Sequence, residues 1–213
     1  NLSGTFFERA EVAGPGFLNF FLAPSFYAAA VADVLDKGAD YGRSDYGQGK
    51  KVLVEFVSAN PTGPMHIGNA RGGAIGDCLA AVLERAGYQV SREFYINDAG
   101  NQINKFGMSL ELRYLQLYRD GVEMPEDSYH GQDIIDHAKA FAALHGDRYV
   151  DASEEERRRV LVEYALPLNV AGLERDLATY RIHYDCWFRE STLHENGEAA
   201  KVVELLTARG YTY

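Results

Sequence analysis

Residues 52–86 read VLVEFVSANPTGPMHIGNARGGAIGDCLAAVLERA, and this stretch predicts the fold of the chain. The β-rich run at 52–58 indicates a strand, and the prolines and glycine after it force a loop. From about residue 65 to residue 86 the pattern becomes helical. This order places the free N–H groups of the helix at the carboxyl end of the strand. Because a helix start carries partial positive charge, the arrangement predicts a nucleotide site.

The predicted helix contains glycines at positions 68, 72, 73 and 76. A mid-helix glycine costs roughly 1 kcal/mol relative to alanine, so these glycines need a reason. Gly68, Gly72 and Gly76 share one face, along which a strand or a flat ligand could approach the backbone. His66 and Asn69 lie beside that face at the mouth of the helix. They are predicted to contact a ligand, or alternatively only to cap the helix.

The rest of the chain predicts further strands and helices around this unit. Strands are predicted on both sides of the turn at 14–16, at 89–96 and at 183–188. Helices are predicted from an N-cap at Ser25 to Lys37, at 101–118, over most of 132–181 and at 195–209. A Ser153–Glu156 capping box is expected within the third of these helical segments, and Pro167 is expected to break or kink it.

Composition limits the class of protein. The chain has 213 residues, 46% hydrophobic content and a formal charge of −10, enough apolar content for a substantial core. A simple RNA-binding module should be basic, so this charge argues against one, although local patches could still contact RNA. No run reaches membrane-spanning length and no secretory signal is present, which predicts a cytoplasmic location without membrane contact. Cys78 and Cys186 lack metal or redox spacing and are expected to be buried, reduced thiols.

The central stretch resembles a known family. It is similar to the HIGH signature region of class I aminoacyl-tRNA synthetases, and the arginine-specific branch fits best. The residues of that region are Ala59, Asn60, Pro61, Thr62, Gly63, Pro64, Met65, His66, Ile67, Gly68 and Asn69. Further segments that resemble the branch lie at 14–20, 93–102, 129–131 and 184–191. One position departs from the family pattern: Asn69 stands where the signature ends in histidine, and an amide can donate to phosphate but cannot become cationic.

The resemblance implies the activity of an arginine–tRNA ligase, which activates L-arginine with ATP and transfers it to tRNA(Arg). It implies catalytic roles for His66 and Asn69. It implies ATP binding by Pro64, Met65, His66, Gly68, Asn69 and Gly72. It implies arginine binding by Glu55, Ser58, Asn60 and Asp98. Mg²⁺ is expected to arrive with ATP, without a dedicated protein metal site. The full-length enzyme is expected to be a monomer.

The resemblance also implies a fold and a domain organisation. The expected class is α/β: the first half of a class I Rossmann-like nucleotide-binding fold with a largely helical insertion, preceded by the remnant of an α+β N-terminal module. The parts are expected at 1–50 for the tRNA-contacting module and linker, 51–125 for the half fold, 126–182 for the insertion and 183–213 for the returning strand and helix.

Two acidic candidates have plain structural alternatives. Glu55 is predicted to lie mid-strand, covered on both faces of a parallel sheet, where an unpaired carboxylate costs several kcal/mol. It would then need a cation, either Arg92 or the guanidinium of arginine held in a bidentate fork. Asp98 precedes a helix and is alternatively its N-cap. The histidines other than His66, among them His137, are expected in solvated or core roles.

Two family features do not occur in the 213 residues, namely a lysine-bearing KMSK loop and a helical anticodon-binding domain. We therefore expect a fragment of a longer enzyme that is inactive by itself. Two alternatives stay open: another HxGH-type nucleotidyltransferase, or a non-catalytic fragment that binds ligand or RNA.

Overall fold

The computed structural model describes residues 2–212. Its N-terminal part is an antiparallel hairpin of β1 (Phe7–Ala13) and β2 (Phe17–Leu22), followed by α1 (Pro24–Lys37) and a short 3-10 turn (Gly38–Asp40). The N-cap of α1 is Ala23, so the predicted cap at Ser25 is wrong. Proline suits the first helical position, because its φ is already helical and its missing N–H would have no partner there.

The centre of the molecule is a parallel sheet with the strand order β3 (Lys51–Glu55), β4 (Gln89–Ile96), β5 (Cys186–Arg189). Helix α2 (Ile67–Arg85) joins β3 to β4 and packs against both strands. This strand–helix–strand unit confirms the predicted α/β class. Strand β3 ends three residues earlier than predicted, since Val57 and Ser58 have positive φ values of 67° and 43°.

A helical layer follows the sheet in the chain. Helices α3 (Asn101–Leu115), α4 (Gln132–His145) and α5 (Glu154–Thr179) pack against one another. Their core contains Phe106, Tyr114, Phe141 and Leu161. A second core lies between the sheet, α2 and the later part of α5, and it contains Phe56, Ala80, Phe94, Leu173 and Ile182. Helix α5 therefore contributes to both cores.

The predicted break at Pro167 is wrong, because α5 continues through this residue. Proline removes one helical hydrogen bond, and here Pro167 and Glu163, whose carbonyl loses its donor, are both exposed to water. Ser153 begins the helix as predicted, accepting a hydrogen bond from the Glu156 N–H at 3.2 Å.

The chain then forms α6 (Ser191–Glu195), which lies almost wholly before the helix predicted at 195–209, and α7 (Glu198–Ala208), which lies within it. Gly197 separates them with a φ of 74°, a conformation that ends a helix.

Both cysteines are free and exposed, so their predicted burial is wrong. Cys78 lies on an open face of α2, and Cys186 opens β5, a strand with a neighbour on only one side within residues 2–212. None of the helices in this range is long and apolar enough to cross a membrane. The boundaries of the four-part division stay predictions.

Candidate nucleotide and amino-acid site

His66 and Asn69 cap the start of α2 reciprocally. Nδ1 of His66 accepts a hydrogen bond from the Gly68 N–H at 3.1 Å, and Oδ1 of Asn69 accepts one from the His66 N–H at 3.0 Å. Because Nδ1 is an acceptor, the neutral imidazole carries its proton on Nε2. Both side chains therefore keep N–H donors, on Nε2 of His66 and Nδ2 of Asn69, after capping the helix. Such donors match the oxygen atoms of a phosphate.

The same two residues line a hollow of about 520 Å³, a volume in the range of small-molecule sites. Its walls come from three places: the loop after β3, the tip of α2, and the turn that leads into α4. We call residues 56–66 the site loop. A second hollow of about 280 Å³ also has His66 and Asn69 in its wall, together with Asp176 and Tyr180 at the end of α5. A hollow of about 570 Å³ between α3 and α5 contains none of the predicted site residues.

The structure brings part of the predicted set together. The 520 Å³ hollow is lined by Ser58, Ala59, Asn60, Thr62, Gly63, Pro64, His66 and Asn69. Met65 and Ile67 line the smaller hollow instead. Neither hollow is lined by Glu55, Asp98, Gly68 or Gly72. The ligand roles given to all these residues stay predictions.

Glu55 does not lie in a buried position. It is exposed at the carboxyl end of β3, which has a neighbouring strand on one side only among residues 2–212, and no ion pair within that range includes it. The predicted partner Arg92 binds Glu84 at 2.6 Å and Asp77 at 3.4 Å. The expected burial of Glu55 and its pairing with Arg92 are therefore wrong, and its pairing with the guanidinium of arginine stays a prediction. Glu55 is a free carboxylate at the sheet edge that faces ligands in this class of fold.

Asp98 forms a bridge between two strand ends. Its side chain is 4% exposed and lies 3.3 Å from Nη1 of Arg189. It accepts hydrogen bonds from the N–H of Ser191 at 2.8 Å and from its Oγ at 2.9 Å. The N-cap of α3 is Gly100, so the alternative role of Asp98 as its cap is wrong. Three protein donors already satisfy this carboxylate. The predicted contact between Asp98 and arginine would have to form in addition to these three.

The site loop begins with a strained turn. The Ser58 N–H donates to the Phe56 carbonyl at 3.0 Å, which closes a three-residue turn around Val57 at a φ of 67°. A β-branched residue in this region is unusual and costs about 1–3 kcal/mol. Oγ of Ser58 accepts the Tyr95 N–H at 3.1 Å, in place of a backbone acceptor in β3.

A tyrosine holds the same turn from the other side. The hydroxyl of Tyr184 donates to the Phe56 carbonyl at 3.0 Å. Burial, with a smaller contribution from Asp77, raises the pKa of the Tyr184 phenol far above its usual range. The phenol therefore stays protonated near neutral pH and keeps donating.

Packing accounts for two of the glycines in α2. A Cβ at Gly76 would lie 2.2 Å from the ring of Phe56, and a Cβ at Gly73 would lie 2.9 Å from Ile182. A Cβ at Gly72 would meet nothing within 4 Å. At Gly76, the predicted close approach of another segment of the same chain is confirmed. At Gly72, the space beside the helix backbone is open to a ligand.

Sequence reasoning missed several residues at this site. Tyr129, Gly131 and Asp133 line the 520 Å³ hollow from the turn before α4. Asn169 of α5 donates to the Pro61 carbonyl at 2.9 Å, across 108 residues of sequence. In the sequence, only the family resemblance marks the segment at 129–131, and no local pattern marks Asn169. Within residues 2–212, no group of three or more His, Cys, Asp or Glu side chains could hold a metal ion.

A parallel sheet whose first strand leads through a glycine-containing loop into a capped, glycine-rich helix defines a Rossmann-like nucleotide-binding half fold. The family model described as tRNA synthetases class I (R), catalytic domain, matches residues 30–134. The arginine–tRNA ligase of Caldanaerobacter subterraneus is 61% identical over all 213 residues, and that of Acetivibrio thermocellus is 54% identical over 215 aligned residues. The chain covers 38% of the length of each of these two relatives.

A solved structure agrees with the sequence matches. A Campylobacter jejuni protein assigned as an arginyl-tRNA synthetase superposes with a TM-score of 0.71 at 32% identity, over 86% of this chain and 40% of that protein. The chain belongs to the arginyl-tRNA synthetase family of class I synthetases.

Proposed function

We propose that this chain provides the ATP- and arginine-binding half of an arginine–tRNA ligase site. The observation that carries the proposal is the tip of α2, where His66 and Asn69 cap the helix and keep donors for phosphate oxygens. The amino-acid candidates Ser58 and Asn60 line the same hollow. The close relatives are named as arginine–tRNA ligases, which does not favour the alternative of another nucleotidyltransferase.

The proposed reaction has two steps. The carboxylate of arginine attacks the α-phosphorus of ATP, and pyrophosphate leaves; the arginyl group then passes to the terminal ribose of tRNA(Arg). The attacking carboxylate is already ionised near neutral pH, so no general base is needed. The rate enhancement comes from positioning the two substrates and from stabilising the charge of the transition state. His66, Asn69 and the dipole of α2 stabilise the negative charge that develops on the phosphates.

The remaining ligands follow from the chemistry of the side chains. Asn60 offers a carbonyl oxygen to the α-ammonium group of arginine. Glu55 offers an unpaired carboxylate to the guanidinium. Mg²⁺ is proposed to enter with ATP, bound mainly by phosphate oxygens and water. The cytoplasmic location, the monomeric state and the binding of tRNA stay predictions.

Titration calorimetry with arginine and lysine tests the amino-acid part of the proposal. The 213-residue chain should bind arginine more tightly than lysine, because a guanidinium makes two parallel hydrogen bonds to a carboxylate. Asn60→Ala should weaken arginine binding about tenfold, as expected for one hydrogen bond to a charged group.

Asn104→Ala is the matched control, because Asn104 is exposed on α3 and lies outside both hollows that contain His66. It should leave arginine binding unchanged. Equal binding of the two amino acids, or binding of neither, would leave only the fold and family assignment.

A further inference from the structure

The site loop is attached to the helical layer at Pro61. This residue is fully buried, and its carbonyl accepts a hydrogen bond from Nδ2 of Asn169 in α5 at 2.9 Å. Oδ1 of the same asparagine lies 2.7 Å from Nε2 of His137 in α4. Three elements that are distant in sequence thus meet in one chain of hydrogen bonds, which links His137, Asn169 and Pro61.

The chemistry of the three groups fixes which atoms donate and which accept along this chain of hydrogen bonds. A carbonyl oxygen can only accept, so the amide nitrogen of Asn169 must face Pro61. The amide oxygen then faces His137, and Nε2 of His137 must carry a proton and donate it. Reversing the amide would place its oxygen against the Pro61 oxygen. The Pro61 carbonyl thus sets the orientation of the Asn169 amide, and a proton on Nε2 of His137 stabilises that orientation from the other end.

The position of Pro61 affects the 520 Å³ hollow, because the residues on either side of it, Asn60 and Thr62, line this hollow. Proline has no N–H, so the carbonyl is the only backbone group of this residue that a hydrogen bond can hold. A displacement of that carbonyl rotates the peptide unit that leads into Thr62. It also moves the backbone on which the Asn60 side chain is carried.

Asn169 lies on a part of α5 whose neighbouring residues are packed in the two cores. Its neighbours along α5 are Leu166, which belongs to the core of the helical layer, and Val170, which belongs to the core beneath the sheet. The asparagine thus lies where α5 passes from one core to the other. A site is positioned more accurately by such a packed element than by a loop alone.

We propose that Asn169 is a positioning residue for the amino-acid site, and that His137 holds its amide in the required orientation. Asn169 acts through Pro61, not by touching the substrate. The inference rests on the proposed function in one respect, namely that the loop held by Asn169 contacts arginine through Asn60. It assigns to the helical layer a direct role in shaping the site.

Asn169→Asp tests the proposal with almost no change in shape. The substitution replaces the donor that faces Pro61 with an acceptor, which repels the carbonyl. Three quantities should be measured on the 213-residue chain: the NMR signals of the Asn60 and Thr62 backbone amides, the affinity for arginine by calorimetry, and thermal unfolding. We expect the two amide signals to shift or broaden, arginine affinity to fall about tenfold, and unfolding to stay cooperative.

Two further variants separate positioning from general destabilisation. Asn104→Asp makes the same chemical change at an exposed position of α3 and should leave all three measurements unchanged. His137→Gln keeps an N–H donor toward Asn169, whereas His137→Leu removes it. We expect the glutamine variant to preserve arginine affinity and the leucine variant to lower it.

The outcomes decide the inference separately from the proposed function. Unchanged Asn60 and Thr62 signals in Asn169→Asp would overturn the inference, as would shifted signals with undiminished arginine affinity. If the unaltered chain binds no arginine, the proposed function fails in this chain, and the NMR signals alone decide whether Asn169 positions the loop. If Asn169→Asp does not fold, the comparison of His137→Leu with His137→Gln decides, and equal behaviour of these two variants would overturn the inference.

Discussion

His66 and Asn69 each have two polar ends, and the structure gives the two ends different tasks. One end of each side chain accepts a backbone N–H in the cap of α2. The other end is left as a donor in a hollow. The cap therefore also prepares the proposed ligand contact, because it fixes the direction in which the remaining donor points. Asn69 performs the capping without a positive charge, so its proposed contact with phosphate is limited to hydrogen bonding.

At the same scale, Glu55 permits a test of amino-acid selectivity. Glu55→Gln keeps the shape but removes the charge and one acceptor of a bidentate pair. We expect arginine affinity to fall by about tenfold to a hundredfold, with a smaller loss for lysine, so the preference between them narrows. Calorimetry with both amino acids measures this. Glu123→Gln, the same change at an exposed loop residue, should have no effect. Equal losses for both amino acids would exclude a guanidinium contact at Glu55.

At the scale of elements, α2 combines a close packing contact with an open position. An alanine at Gly76 would place its Cβ within 2.4 Å of three atoms of Phe56, whereas one at Gly72 would meet nothing within 4 Å. Gly76→Ala should lower the free energy of unfolding by about 1–3 kcal/mol, as overpacking does. Gly72→Ala should raise it by up to about 1 kcal/mol through helix propensity. Urea denaturation of both variants measures the contrast; similar changes in the two would show that α2 does not pack as described.

The same elements show how far the sequence alone can predict this molecule. Periodicity and glycine placement predicted β3, α2 and β4, and with them the hollow at the tip of α2, because these features depend on neighbours in sequence. The end of β3 was missed because a serine hydroxyl, and not a sequence signal, takes over the bond to Tyr95. The continuity of α5 through Pro167 was missed because packing on two cores outweighs the loss of one hydrogen bond. Asn169 and Asp133 were missed because only tertiary structure brings them to the site loop.

At the scale of the whole molecule, the site depends on α5. Its early turns pack in the core of the helical layer and its later turns pack beneath the sheet. Through Asn169, this one helix is hydrogen-bonded both to Pro61 of the site loop and to His137 of α4. Substitutions in the α5 core are therefore expected to act on the site as well as on stability.

The charge of the hollows predicts what the chain cannot do by itself. Among residues 2–212, neither hollow that contains His66 is lined by a lysine or arginine, and each includes an aspartate, Asp133 or Asp176. Besides the Mg²⁺ that accompanies ATP, transfer at a triphosphate depends on lysine or arginine side chains that stabilise the leaving pyrophosphate. We therefore expect the 213 residues alone to show no arginine-dependent exchange between ATP and pyrophosphate, with or without tRNA(Arg).

Labelled pyrophosphate measures this exchange, and the arginine–tRNA ligase of Caldanaerobacter subterraneus serves as the positive control. Arginine binding measured on the same preparation separates a folded, binding chain from a misfolded one. Exchange clearly above the protein-free background would contradict the prediction, because the helix dipole and the donors of His66 and Asn69 would then suffice for the chemistry without a lysine or arginine.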